Sequence, residues 1–136
     1  MRYISHSAEE TDALGQKLVK NFEKNTVICL DGEMGAGKTV FVQGCLKALG
    51  YTGRVTSPTF ALCNEYFTEN AHVMHYDLYR IKDEDDLYSV GFYDSDADLI
   101  FVEWAGNNCD MFDKCIKIRF TYGGNETERI LESEDI

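Results

Sequence analysis

The sequence predicts an α/β fold: a single three-layer domain over residues 1–136, with a mixed parallel and antiparallel sheet flanked by helices. Two observations carry this reading. A short apolar, β-branched run at Thr26–Leu30 leads into a glycine-rich loop and then a segment of helical periodicity. Further along, runs rich in aromatic and branched residues alternate with turn signals, as antiparallel strands do. With 136 residues, the chain can bury roughly two-thirds of its unfolded surface, so a real core is feasible.

The elements follow in order. Ser7-Ala8-Glu9-Glu10 has capping-box form, and Leu14, Leu18 and Phe22 recur at every fourth position, which predicts a helix over 8–23. Residues 26–31 read as a buried strand. Phe41, Val42, Cys45, Leu46 and Leu49 then fall on one helical face, and Gly50 sits where a helix C-terminal glycine belongs, predicting a helix over 38–49. A connecting loop runs from Tyr51 to Pro58, the only proline. Two antiparallel strands are expected at 60–67 and 71–77, with Glu69-Asn70 between them, and a short helix opening at Asp83–Asp86. Leu99–Val102 reads as a second buried strand, ending in Glu103-Trp104. A strand at 115–122, a turn at Gly123-Gly124-Asn125 and a last strand near 127–131 complete the pattern, with an acidic tail at 132–136 expected to fray.

Residues 32–39 read Gly-Glu-Met-Gly-Ala-Gly-Lys-Thr, the full phosphate-binding pattern G-x-x-x-x-G-K-[ST]. The glycines let the backbone wrap tightly and turn its N–H groups toward phosphate oxygens. Lys38 is placed to reach the β- and γ-phosphates and the Thr39 hydroxyl to ligate Mg²⁺. The following helix aims its positive end at the same charge. Strand, loop and helix stand in the required order for a P-loop NTPase-like domain.

Such a loop needs a metal-organising carboxylate on a neighbouring strand. Leu99-Ile100-Phe101-Val102-Glu103 supplies four apolar residues ending in an acid, which makes Glu103 the candidate Mg²⁺ organiser, directly or through water. Asp77 ends another expected strand and is a candidate for positioning the attacking water or a metal-bound water; an acid opening a turn is the alternative. Arg80 suits either a phosphate contact or a surface ion pair. Trp104, the only tryptophan, suits either stacking on a base or core packing.

Composition narrows the class. The net charge is −11 and only five arginines occur, so the chain by itself is poorly suited to holding a nucleic acid backbone. No apolar stretch of about 20 residues predicts a membrane span, and no secretory pattern opens the chain. Five cysteines, at 29, 45, 63, 109 and 115, form no C-x-x-C pair and predict reduced thiols in the cytoplasm. No Asn-Lys pair is present for guanine selection, so ATP is the better nucleotide. A lid domain is hard to fit into the residues that follow the loop helix. A small-molecule kinase, and a nucleotide-sensing module with negligible turnover, stand as alternatives to a minimal ATPase serving a partner protein.

Taken together, these motifs resemble the TsaE (YjeE) family. The resemblance spans about residues 7–131 and rests on the loop at 32–39, Ser57-Pro58-Thr59-Phe60, His75-Tyr76-Asp77-Leu78-Tyr79-Arg80 and Val102-Glu103-Trp104, in that order. Asp85-Asp86-Leu87 followed by Gly91-Phe92 is similar to a later family segment. The resemblance implies a bacterial ATPase, weak alone and stimulated by partners, needed for N6-threonylcarbamoyladenosine at position 37 of tRNA. It implies TsaB and TsaD as complex partners, with tRNA reached only through them and the group transfer done elsewhere. Carried over by position, it implies that Glu33, Met34, Gly35, Ala36, Gly37, Lys38, Thr39 and Val40 bind ATP and that Thr39 and Glu103 hold Mg²⁺. It also places Asp77 at the hydrolytic centre, Trp104 near the nucleotide, Thr11 of the first helix in contact with it, and Ser57, Pro58 and Thr59 in a switch-like segment. Two departures stand out: Gly-Glu-Met opens the loop where the family often has Gly-Asp-Leu, and Ala105-Gly106-Asn107-Asn108 lacks the prolines often found there.

Overall fold

In chain order the elements are β1 (Arg2–Ser5), α1 (Ala8–Leu18), β2 (Thr26–Gly32), α2 (Lys38–Ala48), β3 (Cys63–Phe67), β4 (His72–Asp77), β5 (Leu99–Glu103), β6 (Cys115–Tyr122) and β7 (Arg129–Glu132). The computed structural model describes residues 1–33, 35–56, 63–77, 96–103 and 114–136. The seven strands form one sheet in the order β1-β7-β6-β2-β5-β4-β3. β2 lies at its centre, parallel to both β5 and β6, and β4 runs parallel to β5. The β3–β4, β6–β7 and β1–β7 pairs are antiparallel. The mixed α/β sheet expected from the sequence is therefore the sheet that forms.

β2 is central because both of its faces are apolar. Ile28 and Leu30 pack into the main core with Phe101, Ile118, Phe120 and the α2 residues Phe41, Val42, Cys45 and Leu46. Val27 and Cys29, on the opposite face, are also buried. A strand without a polar face cannot sit at an edge, so its neighbours have to cover it on both sides.

α1 begins as its sequence predicts. Ser7 caps it, its hydroxyl accepting from the Glu10 N–H at 3.1 Å. Glu10 in turn reaches back and accepts from the backbone N–H of His6. The α-helix ends at Leu18 rather than at 23, continuing as one 3-10 turn at Val19–Asn21. The chain has to reverse there to enter β2, and Phe22 is already extended.

The two helices cross backbone to backbone. A Cβ on Gly44 would stand 2.0 Å from the Asp12 carbonyl oxygen, and one on Gly15 would stand 2.4 Å from that of Phe41. Only glycine permits this approach. Asp12, almost buried, ties the crossing through Lys47 Nζ at 2.9 Å and Gln16 Nε2 at 2.7 Å.

Three further points differ from expectation. β1 was not foreseen: four residues are too few for a period to show, and only pairing with β7 makes them a strand. The acidic tail is docked rather than frayed. Ser133 is buried and exchanges backbone hydrogen bonds with Met1, and the Asp135 carboxylate accepts from the Lys117 N–H at 2.9 Å. Edge pairing satisfies backbone groups that a charge-rich sequence would suggest are solvated. Cys115 is disulfide-bonded, whereas Cys29, Cys45 and Cys63 are free thiols. Bridging requires close Cβ atoms, a tertiary proximity that spacing does not reveal. The helix expected near 83–86 lies outside the described residues.

Candidate functional site: a phosphate loop flanked by two strand-end carboxylates

β2 delivers the loop and α2 receives it. Gly32 closes β2 in register with Phe120, so close that a Cβ would lie 2.6 Å from the Phe120 carbonyl oxygen. Gly35 and Gly37 take left-handed backbone angles, φ 81° and 101°. A side chain at either position would strain the turn. The loop is closed internally, with the Ala36 N–H donating to Glu33 O at 3.1 Å. Gly37 is the N-cap of α2 and offers no side chain to its first turn, which also holds no acid. The N–H groups there keep their capacity for an anion. Lys38 Nζ donates to Gly32 O at 2.6 Å, so the ammonium is folded back across the loop.

The carboxylates stand at the ends of the next two strands. Glu103 is in register with Leu30 of β2 on one side and Asp77 of β4 on the other. Parallel pairing therefore brings the loop, Glu103 and Asp77 to one carboxyl-terminal rim, where ligands bind in open α/β sheets. Glu103 is buried and bonded to His75, whose Nε2 lies 3.0 Å from Glu103 Oε2. Asp77 is half-buried. Thr39 is half-buried in the first turn of α2, and Val40 follows it.

The family whose model carries the description "Threonylcarbamoyl adenosine biosynthesis protein TsaE" matches residues 5–131. The chain belongs to the TsaE family. The tRNA threonylcarbamoyladenosine biosynthesis protein TsaE of Rickettsia felis is 38% identical over 104 residues, covering 75% of this chain and 61% of that protein. The Aquifex aeolicus protein of that name is 38% identical over 112 residues, covering 79% and 80%. The matched part thus spans about three-fifths of the Rickettsia felis protein's length and four-fifths of the Aquifex one. The crystal structure of Bacillus subtilis YdiB superposes with a TM-score of 0.75 at 27% identity, covering 98% of this chain and 83% of that one.

Within this TsaE-family chain, Thr11 stands beside the loop. It is buried, its hydroxyl lies 2.7 Å from that of Ser5, and its methyl lies 3.7 Å from where a Gly37 Cβ would be. Met34, Ser57, Pro58, Thr59, Arg80 and Trp104 lie outside the described residues. Two residues that sequence reasoning did not single out also border the loop. The Tyr122 hydroxyl lies 3.2 Å from a Cβ built on Gly35, and Arg129 Nη2 donates to Gly35 O at 3.4 Å. The Arg129 guanidinium sits 4.5 Å above the Tyr122 ring. They flank the β6–β7 hairpin and reach the loop only through sheet pairing, so no linear pattern marks them.

The residues present suit a magnesium nucleotide. Thr39, Glu103 and Asp77 offer hard oxygen donors, the type Mg²⁺ prefers. No cluster of three His, Cys, Asp or Glu side chains forms a ready-made cage among the described residues. Mg²⁺ is commonly held by one or two carboxylates with substrate phosphates and water completing its shell, and Glu103 and Asp77 are carboxylates of that kind.

Proposed function

We propose that this chain is the Mg²⁺-dependent ATP-binding and ATP-hydrolysing subunit of the tRNA N6-threonylcarbamoyladenosine machinery, acting with TsaB and TsaD and not itself transferring the group. The observation that carries the reading is the loop, with Gly35 and Gly37 in left-handed conformations and Lys38 Nζ on Gly32 O, set in register beside Glu103 and Asp77. Loop N–H groups and the first turn of α2 would bind the phosphates. Lys38 would exchange the Gly32 carbonyl for the terminal phosphates. Thr39 and Glu103 would hold Mg²⁺, which would supply positive charge against that of the phosphates. Asp77 would accept a hydrogen bond from the attacking water and orient it. Tyr122 and Arg129 would border the bound nucleotide on the β6–β7 side.

The net charge of −11 supports delegating tRNA to partners, since phosphate contacts depend on Lys and Arg. The test is a nucleoside mass spectrum of tRNA from a deletion strain, alongside ATP hydrolysis by the purified chain with and without a TsaB–TsaD complex. Loss of threonylcarbamoyladenosine and partner-stimulated phosphate release are expected. Unchanged modification in the deletion strain would refute the role, and label transferred to a small metabolite would replace it with a kinase.

A further inference from the structure

His75 has no part in the phosphate-loop chemistry described above, yet it is among the largest fully buried side chains. In the β4–β5 pair it lies opposite Phe101, two residues before the Asp77–Glu103 pair. Residues two apart project to the same face, so the imidazole lies beside the Glu103 side chain rather than behind it. Its Nε2 is 3.0 Å from Glu103 Oε2. Its Nδ1 is buried and has no hydrogen-bond partner among the described residues.

These two nitrogens fix the donor. A neutral imidazole donates from one nitrogen and accepts at the other. With the hydrogen on Nε2, the buried carboxylate gains a donor and only a lone pair is left unpartnered at Nδ1. With it on Nδ1, a buried N–H would be orphaned and Nε2 would face the carboxylate lone pair to lone pair. Both costs fall on the second tautomer.

We propose that His75 is a positioning residue for the magnesium carboxylate: its Nε2–H holds Glu103 Oε2 and so fixes the Glu103 side chain at the rim before Mg²⁺ and nucleotide arrive. This rests on the assignment of Glu103 as a metal organiser. Outer-shell partners of metal ligands commonly change metal affinity by 10- to 100-fold when removed.

The experiment measures Mn²⁺ binding by electron paramagnetic resonance in the presence of a non-hydrolysable ATP analogue. It compares the unmodified chain with His75→Asn, His75→Gln and Glu103→Gln. The Gln amide reaches about as far as imidazole Nε2, whereas the Asn amide stops near Nδ1. His75→Asn is expected to weaken Mn²⁺ binding about tenfold, with His75→Gln restoring most of it. Turnover at saturating metal should change far less than the metal requirement. Undiminished Mn²⁺ binding in His75→Asn while Glu103→Gln is weakened would overturn the inference and leave the metal site standing. Undiminished binding in Glu103→Gln would remove the metal assignment and the inference with it. Nitrogen-15 spectra of the unmodified protein give an independent reading that needs no variant: the Nε2-protonated tautomer is expected, and an Nδ1-protonated ring would overturn the proposal.

Discussion

Gly44→Ala tests how far the site depends on the α1–α2 crossing. A single methyl group placed there would stand 2.0 Å from Asp12 O, 2.8 Å from its carbonyl carbon and 3.0 Å from its Cα. All three are backbone atoms, so no side chain can swing aside. Restoring ordinary contact at 3.4 Å requires the helices to separate by about 1.4 Å at that point. Overpacking costs about 1–3 kcal/mol, and a rigid backbone-on-backbone clash belongs at the upper end. Alanine returns about 1 kcal/mol through better helix propensity, leaving a net loss of about 2 kcal/mol. With an unfolding entropy of about 2.1 cal/mol/K per residue, that lowers Tm by about 7 °C. The separation also lifts Thr11 from Gly37, so ATP affinity should fall along with stability. Thermal unfolding followed by circular dichroism and ATP titration by calorimetry measure the two effects. Gly50→Ala is the control: φ is +97° with nothing within 4 Å, so it should lose about 1 kcal/mol from backbone strain without touching ATP affinity. A Tm at or above that of the unmodified chain in Gly44→Ala would refute the packing argument.

Lys38→Ala should abolish most ATP turnover, by about 10²–10³ in rate, because in the proposed role it deletes a donor to the terminal phosphates; phosphate-release assays at saturating ATP would show it. Asp77→Asn should bind ATP with near-normal affinity but lose turnover, which separate binding and hydrolysis measurements resolve; intact turnover would exclude Asp77 from water positioning. Burial is the main cause that raises the Cys29 thiol to about 12, with Lys117 opposing and Asp31 and Asp135 adding to the rise. The neutral thiol is thus favoured by folding, so its contribution to stability is present at neutral pH and is lost as pH climbs from the ordinary thiol range toward 12. Cys29, and the still more buried Cys45, should resist iodoacetamide at pH 8.5 in the native protein and react in urea, as peptide mass mapping would report.

The sequence by itself determined the loop and its setting. Strand, glycine-rich turn and helix are consecutive, and each announces itself through local preference: β-branched residues at 26–28, glycine at 35 and 37, helical spacing from 41 to 49. Glu103 was legible for a similar reason, as the acid closing a wholly apolar strand. Tertiary structure decided what pairs with what. The order β1-β7-β6-β2-β5-β4-β3 sets Glu103 between Leu30 and Asp77, presses Gly44 onto Asp12, draws Tyr122 and Arg129 to Gly35, and turns His75 toward Glu103. It also made strands of Arg2–Ser5 and anchored a charged tail. The division has one physical cause. Backbone conformation responds to neighbours in the chain, whereas register, burial and side-chain partners depend on contacts between segments 28 to 132 residues apart, as in His75–Glu103 and Met1–Ser133, and those contacts exist only once the sheet has closed.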